Sequence, residues 1–492
     1  MALYAIAPPA PHADRRGEPS PALEPTIPLA RVKQIVAAIV LAFSAMLIFL
    51  AIDGLTLPMR LTLAVFVAAI TAWSVLGLPD TPVALAGAAM LPVFGAIDED
   101  VLYRSLGNDI VWLMLAAFIV ASVLRQVGVV EQVISRLLAR LATVQGLFWV
   151  LTLLIFATAF VISSTSARAA MLAPVYLGLA AAIDNGRVNR ALALLFPSVI
   201  LLSAGASLIG AGAHLVAAEM MERTGGQSPG FLGWLALAGP FSLLCSLLAC
   251  AVLLRFFLSA EERRMVLARR GAESAPARLT KQQRTVLAIA GAMVVLFATQ
   301  PLHGVGMALI GIAAALLLAT EHVSGLSLKD ALKGVEWNLL LFLAGTLVIG
   351  EALLETGTAA VLAERVVALA GKGLAAWPVL VVAFAAVAVT LSHLVITSRT
   401  ARATVLIPAL ALPLAALGVD PLNLIMVVTL ASGFCQTLMV SAKPVALFGG
   451  MDQAAFSQAD LMRLAGYLIV PFIGLLIAFA TLIWPLQGIP VR

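Results

Sequence analysis

Ile162–Pro174 reads ISSTSARAAMLAP, and Ile396–Pro408 reads ITSRTARATVLIP. The two stretches align without a gap and agree at seven of thirteen positions: Ile, Ser, Ala, Arg, Ala, Leu and Pro. Each interrupts a long apolar segment near its middle, the first at about 146–183 and the second at about 375–417. A polar cluster in such a segment frees backbone groups that hydrocarbon cannot satisfy. It is tolerated only where it faces protein or a water-filled cavity. The match extends outward: Leu124…Gly128 parallels Leu353…Gly357, and Gly239-Pro240-Phe241 parallels Val470-Pro471-Phe472. The chain is therefore read as two copies of one unit.

Composition sets the surroundings of those units. Of 492 residues, 62% are apolar and 11% charged; mean hydropathy is +1.07. Soluble domains run at roughly 45–50% apolar and about 25% charged. Runs long enough to cross a bilayer fall at about 35–52, 61–78, 81–97, 108–127, 190–218, 232–257, 285–300, 303–320, 335–356, 419–447 and 463–486. The expected fold is an all-α membrane protein with about eleven transmembrane helices plus two re-entrant hairpins in an inverted repeat. An odd number of spans separates the two copies, so they insert in opposite senses.

Residues 1–33, with seven prolines, are expected to form a disordered cytoplasmic tail without a cleavable signal. Residues 34–257 make the first repeat, 258–284 a basic cytoplasmic linker, and 285–492 the second repeat. Between Arg255 and Arg284 stand eight Lys/Arg against three Glu. Placing that loop inside also puts Arg136, Arg140, Arg187, Arg190, Lys329 and Lys333 inside, with Asp98-Glu99-Asp100 outside. The expectation is a multi-pass protein of the inner (cytoplasmic) membrane with a cytoplasmic N-terminus. The positive charge is a topology signal, and no nucleic-acid partner is expected. Cys245, Cys250 and Cys435 have neither metal-ligand nor disulfide spacing.

Interrupted helices at matching places in two halves point to the binding site of a secondary transporter. The freed N–H groups and the positive end of the following half-helix seat an anion. Ser164, Thr165, Ser166, Ser398 and Thr400 add hydroxyls. Arg168 and Arg402 each follow the cluster serine by four residues, one turn into the next half-helix, and Arg399 lies within the second cluster. A membrane arginine is costly and usually paired or functional, so direct electrostatic capture of an anion is the expected role of all three. Lys443 is expected to add positive charge. Second breaks are read at Gly205–His214 and Gln436–Pro444, making Gly210, His214 and Ser441 candidates for a coupling-ion or proton site. A lone membrane histidine is more often a hydrogen-bonded bridge between helices. Glu336 and Asp109 begin spans and read as helix N-terminal charges.

The pattern resembles the divalent anion/sodium symporter family of the ion transporter superfamily over about residues 80–490. That family carries a Ser-Asn-Thr motif in each hairpin, with Pro ten residues after the Ser. The triplets here are Ser164-Thr165-Ser166 and Ser398-Arg399-Thr400, ending at Pro174 and Pro408, and Trp337–Gly357 is similar to the helix before the family's second hairpin. The resemblance implies a homodimer with elevator-type alternating access, carrying dicarboxylate, citrate or sulfate, usually with sodium. Both motif asparagines are replaced here, by Thr165 and Arg399, and the Thr that follows in the family is Arg168 or Arg402. Fixed guanidinium charge can substitute for bound cations, which implies sodium-independent transport by exchange, uniport or proton coupling. No cofactor is expected beyond Na+ or H+ as coupling ion.

Other classes fit less well. No HExxH motif, paired intramembrane aspartates or Ser–His pair at contact spacing is present, so an enzyme is not expected. An inorganic ion carrier of the same superfamily, moving arsenite or exchanging cations for protons, should place Asp or Glu at the breaks. A transport-dead membrane protein would follow if the arginines had destroyed an ancestral site.

Overall fold

The computed structural model describes residues 29–52, 54–130, 132, 143–183, 185–225, 228–266, 279–439, 441–451 and 456–492. Most of the expected tail, linker residues 267–278, and Arg136 and Arg140 lie outside them. Among the described residues the structure is helical, with one isolated β-bridge between Thr143 and Val266. The longer helices of the first half are α1 (Leu29–Met46), α2 (Leu57–Thr71), α3 (Asp80–Val93), α4 (Glu99–Gly107), α5 (Asp109–Val127), α6 (Val144–Ala157), α7 (Thr165–Ala182), α8 (Gly186–Ser203), α9 (Gly212–Gly225) and α10 (Gly230–Phe256). In the second half they are α11 (Lys281–Ala298), α12 (Met307–Leu318), α13 (Trp337–Glu355), α14 (Thr358–Ala375), α15 (Pro378–Leu391), α16 (Arg399–Leu406), α17 (Pro421–Ala431), α18 (Lys443–Gly449) and α19 (Gln458–Ala478).

Among the described residues, seven helical stretches are long and apolar enough to cross a membrane, and five shorter apolar helices accompany them. This is the expected all-α membrane class. The runs at 190–218 and 419–447 are not continuous spans, however. The first breaks between α8 and α9, and the second between α17 and α18. Small residues permit the first break: a Cβ on Gly210 would fall 2.2 Å from the Ala204 carbonyl oxygen. The sequence reading missed α14, whose Glu364 and Arg365 interrupt its apolar run.

The order of elements recurs between the halves. Helices α5 and α13 both end on glycines in the left-handed region, Gly128 (φ +67°) and Gly357 (φ +75°), where a side chain would be strained. The halves interlock, with α3 packing along α13 and α12 along α5. The span Gly186–Ala206 is 94% buried and Arg31–Leu50 only 11%, so α8 is central and α1 peripheral. A large hydrophobic core joins helices from α5 through α19, while a smaller one gathers α2, α3 and the inner face of α13. The exposed apolar side chains of α1, such as Ile39 and Phe43, suit a lipid-facing surface.

Candidate functional site

Both polar clusters are helix breaks, as read from the sequence. The chain leaves helix at Val161 and re-enters at Thr165; it leaves again at Val395 and re-enters at Arg399. Each re-entry is N-capped by the cluster serine. Ser164 Oγ accepts from Ala167 N at 3.2 Å, and Ser398 Oγ accepts from Ala401 N at 3.3 Å. These caps satisfy one of the N–H groups that every helix start leaves free.

Four half-helices, α7, α16, α9 and α18, begin at one cavity of about 550 Å³. Its wall includes Ser164–Ser166, Ser398–Thr400, Ala211-Gly212 and Ala442-Lys443, each at or just before a helix start. The starts approach closely: a Cβ on Gly212 would lie 3.3 Å from Thr400 Cγ2. Four convergent N-termini give the cavity a positive backbone potential.

The three arginines divide into different roles. Arg168 is fully buried and does not line the cavity. Its Nε donates to Thr158 Oγ1 (2.9 Å) and its Nη1 to Ile200 O (3.0 Å). Its Nη2 donates to Ile155 O (2.6 Å) and Ser203 Oγ (2.7 Å). Ile155 and Ile200 lie in the last turns of α6 and α8, where carbonyls lack intrahelical partners. Arg402 is likewise fully buried; it donates to Phe434 O at 3.1 Å and contacts Cys435 Sγ. Neither Arg168 nor Arg402 lines this cavity, although Arg402 Nε is also buried without a partner. Both turn inward because the freed carbonyls of the broken helices need donors, and a guanidinium supplies several from one side chain.

Arg399 is the arginine at the cavity. Its Nη2 donates to Leu201 O (2.6 Å) and Gly433 O (2.8 Å), at the ends of α8 and α17. Its Nε and Nη1 are buried without a partner. Leaving a charged donor buried and unsatisfied is expensive, which is the signature of a group awaiting a ligand or water. Lys443 begins α18 with its side chain exposed at the cavity wall.

Two carboxylates missed as site residues complete the wall. Glu336 accepts a hydrogen bond from Ser164 Oγ across the two halves. Asp80, at the start of α3, lies against the Ser398 hydroxyl and within the field of Lys443. Each cluster serine thus meets a carboxylate from outside its own pair of half-helices. The signal available in sequence was an acidic residue opening an apolar helix, a pattern that ordinary helix-dipole preference also produces.

The other candidates are structural in their contacts. His214 does not line the large cavity; its Nδ1 pairs with Ser207 O at 2.9 Å and its ring packs on Trp234 at 5.4 Å. Trp234 Nε1 in turn donates to Gly205 O at 2.9 Å, so the pair stitches the first break together. Gly210 lies in that same break. Ser441 reaches the cavity edge, but its hydroxyl donates to Cys435 O at 2.6 Å and closes the second break. Among the described residues no cluster of three or more His, Cys, Asp or Glu side chains is placed to hold a metal.

Paired broken helices converging on one charged cavity inside a bundle of apolar spans define a multi-pass membrane transporter. The citrate transporter family matches residues 64–431 and again 294–487, and the chain belongs to that family. The chain is 27% identical over 318 residues to an uncharacterized transporter of Mycobacterium tuberculosis, covering 62% of this chain and 70% of that one. It is also 27% identical over 302 residues to the 46 kDa membrane protein of Mycobacterium leprae, covering 59% of this chain and 67% of that one. The fold is similar to the crystal structure of the YdaH transporter of Alcanivorax borkumensis, with a TM-score of 0.50 over 94% of this chain and 99% of that one, at 13% identity. The expected kinship with the divalent anion/sodium symporters holds at this coarser level, as a secondary transporter of a citrate transporter family.

Proposed function

We propose that the chain carries a small di- or tricarboxylate of the citrate class through the 550 Å³ cavity, without sodium, across the inner membrane. The observation that carries the reading is Arg399: a buried guanidinium with two unpartnered nitrogens, at the point where four half-helices begin. Its Nε–H and Nη1–H leave the guanidinium on different sides, so each offers one charge-assisted hydrogen bond to an anion. Ser166 and Thr400 supply neutral hydroxyls beside it, and Lys443 a second positive charge. A cavity of this volume leaves sulfate loosely held, whereas a multi-carboxylate can reach Arg399 and Lys443 together.

Coupling follows from charge balance. Arg399 and Lys443 face Asp80 and Glu336, so the empty cavity is neutral when both carboxylates are ionised. An anion entering that wall meets repulsion unless positive charge arrives with it, and protonation of the carboxylates supplies it. The reading is therefore proton-coupled carboxylate transport. A cation-exchange reading draws on the same Asp80 and Glu336, but both lie against hairpin serines and are balanced by fixed cations. The elevator movement belongs to the proposal as well; the cavity lies between the two hydrophobic cores, where one could slide past the other.

Uptake of labelled citrate, succinate and sulfate into vesicles containing the purified protein tests this. Citrate or succinate uptake should be driven by an inward proton gradient and be equal in sodium and choline buffers. Uptake that requires a sodium gradient overturns the coupling, and sulfate as the sole substrate overturns the carboxylate assignment.

A further inference from the structure

A second cavity, of about 450 Å³, opens away from the first, where the start of α8, the end of α10 and the start of α19 meet. Three guanidinium groups, Arg187, Arg190 and Arg463, line it against a single carboxylate, Asp460. That carboxylate is already engaged. It accepts from Ser457 N at 2.9 Å and Ser457 Oγ at 2.8 Å, and lies 3.9 Å from Arg190 Nε. The cavity is therefore left with a net excess of two positive charges. Its other wall is apolar. Arg463 lies over the Phe257 ring at 5.2 Å and donates to Phe256 O at 3.3 Å, so its guanidinium is held at the cavity. Phe256 stacks on Tyr467 at 4.4 Å, and both rings are substantially exposed.

We infer that this cavity binds the phosphodiester headgroup of an anionic phospholipid. Three apolar spans, Gly186–Ala206, Gly230–Phe256 and Gln458–Gln487, begin or end at the cavity, which sets it at the membrane–water boundary. Guanidinium groups match phosphate oxygens by paired hydrogen bonds. Basic pockets between spans are the sites where anionic headgroups lodge, and stacked aromatic rings at the boundary suit the glycerol and upper acyl chain. A free phosphate would use the arginines but gain nothing from the aromatic wall. The lipid would brace α8 at one end, while its other end holds Arg168 and Arg399 through Ile200 O and Leu201 O. This site stands independently of what the first cavity carries.

The test is native mass spectrometry of the full chain released from vesicles of phosphatidylglycerol or of phosphatidylcholine. The wild type should retain phosphatidylglycerol and not phosphatidylcholine. Arg187→Gln/Arg463→Gln should weaken retention roughly thirtyfold, from the usual worth of two basic residues near an anionic surface. Arg263→Gln/Arg264→Gln, which removes the same charge outside the cavity, should leave retention unchanged. Equal retention of the two lipids by the wild type overturns the proposal, even if the double variant fails to fold. So does equal loss in both double variants. Displacement of the lipid by millimolar soluble glycerol phosphate would make this a free-anion site and overturn the lipid assignment.

Discussion

Replacing Arg399 by Gln should separate substrate binding from fold stability, with Arg168→Gln as its opposite. Arg399 lines the cavity, and its Nε and Nη1 are buried with no protein partner. One charge-assisted hydrogen bond from either nitrogen to a carboxylate is worth about 1.5–3 kcal/mol. At the lower end its loss is roughly a tenfold rise in Kd for citrate. The bonds to Leu201 O and Gly433 O are lost as well. At about 0.6 kcal/mol for a polar contact within a membrane bundle, they lower stability by only about 1 kcal/mol. Arg168 makes four internal hydrogen bonds and does not line the cavity. Its replacement should cost about 2.4 kcal/mol on the same scale, with little effect on the affinity of the protein that still folds. Calorimetric titration with citrate in lipid nanodiscs, paired with thermal melting of the same samples, reads both quantities. Arg399→Lys should fall between wild type and Gln, since it keeps the charge but not the spread of guanidinium donors. Unchanged citrate affinity in a folded Arg399→Gln, or loss of affinity without loss of stability in Arg168→Gln, would refute the division of roles.

Glu336→Gln keeps an acceptor for Ser164 Oγ but is permanently neutral, so citrate uptake should depend less steeply on the proton gradient, with Asp80 as the remaining carboxylate. Vesicle uptake between pH 5.5 and 8, read in roughly half-unit steps, checks this; an unaltered pH profile counts against Glu336 as the proton carrier. Gly210→Ala places a Cβ 2.2 Å from Ala204 O, which the backbone cannot absorb, and should lower the melting temperature and abolish uptake together. Ser398→Ala removes the cap on Ala401 N at about 1 kcal/mol, a loss of stability measurable by thermal melting. It also removes the hydroxyl beside Asp80 and should alter citrate affinity in the same protein.

The sequence by itself determined the membrane class, because apolar runs of this length leave helices as the economical way to satisfy the backbone in hydrocarbon. It also located both primary breaks, since a polar cluster around Ser164 and another around Ser398 each interrupt an apolar run. The second breaks at Gly205–His214 and Gln436–Pro444 were legible for a similar reason: small and polar residues stand where a span should continue. What each arginine does was decided only by tertiary structure. Arg168, Arg399 and Arg402 look alike along the chain, yet the carbonyls that take up the first and third belong to distant segments of the chain, and their positions follow from packing. Arg399 differs because it sits three residues before Arg402, the equivalent of Arg168, at the helix start, where its side chain lies between α8, α17 and the cavity. Asp80 and Glu336 were hidden for the same reason. A carboxylate opening a helix has one meaning in sequence, and acquires another only when the interlocking of α3 and α13 brings it against a serine at a distant helix break.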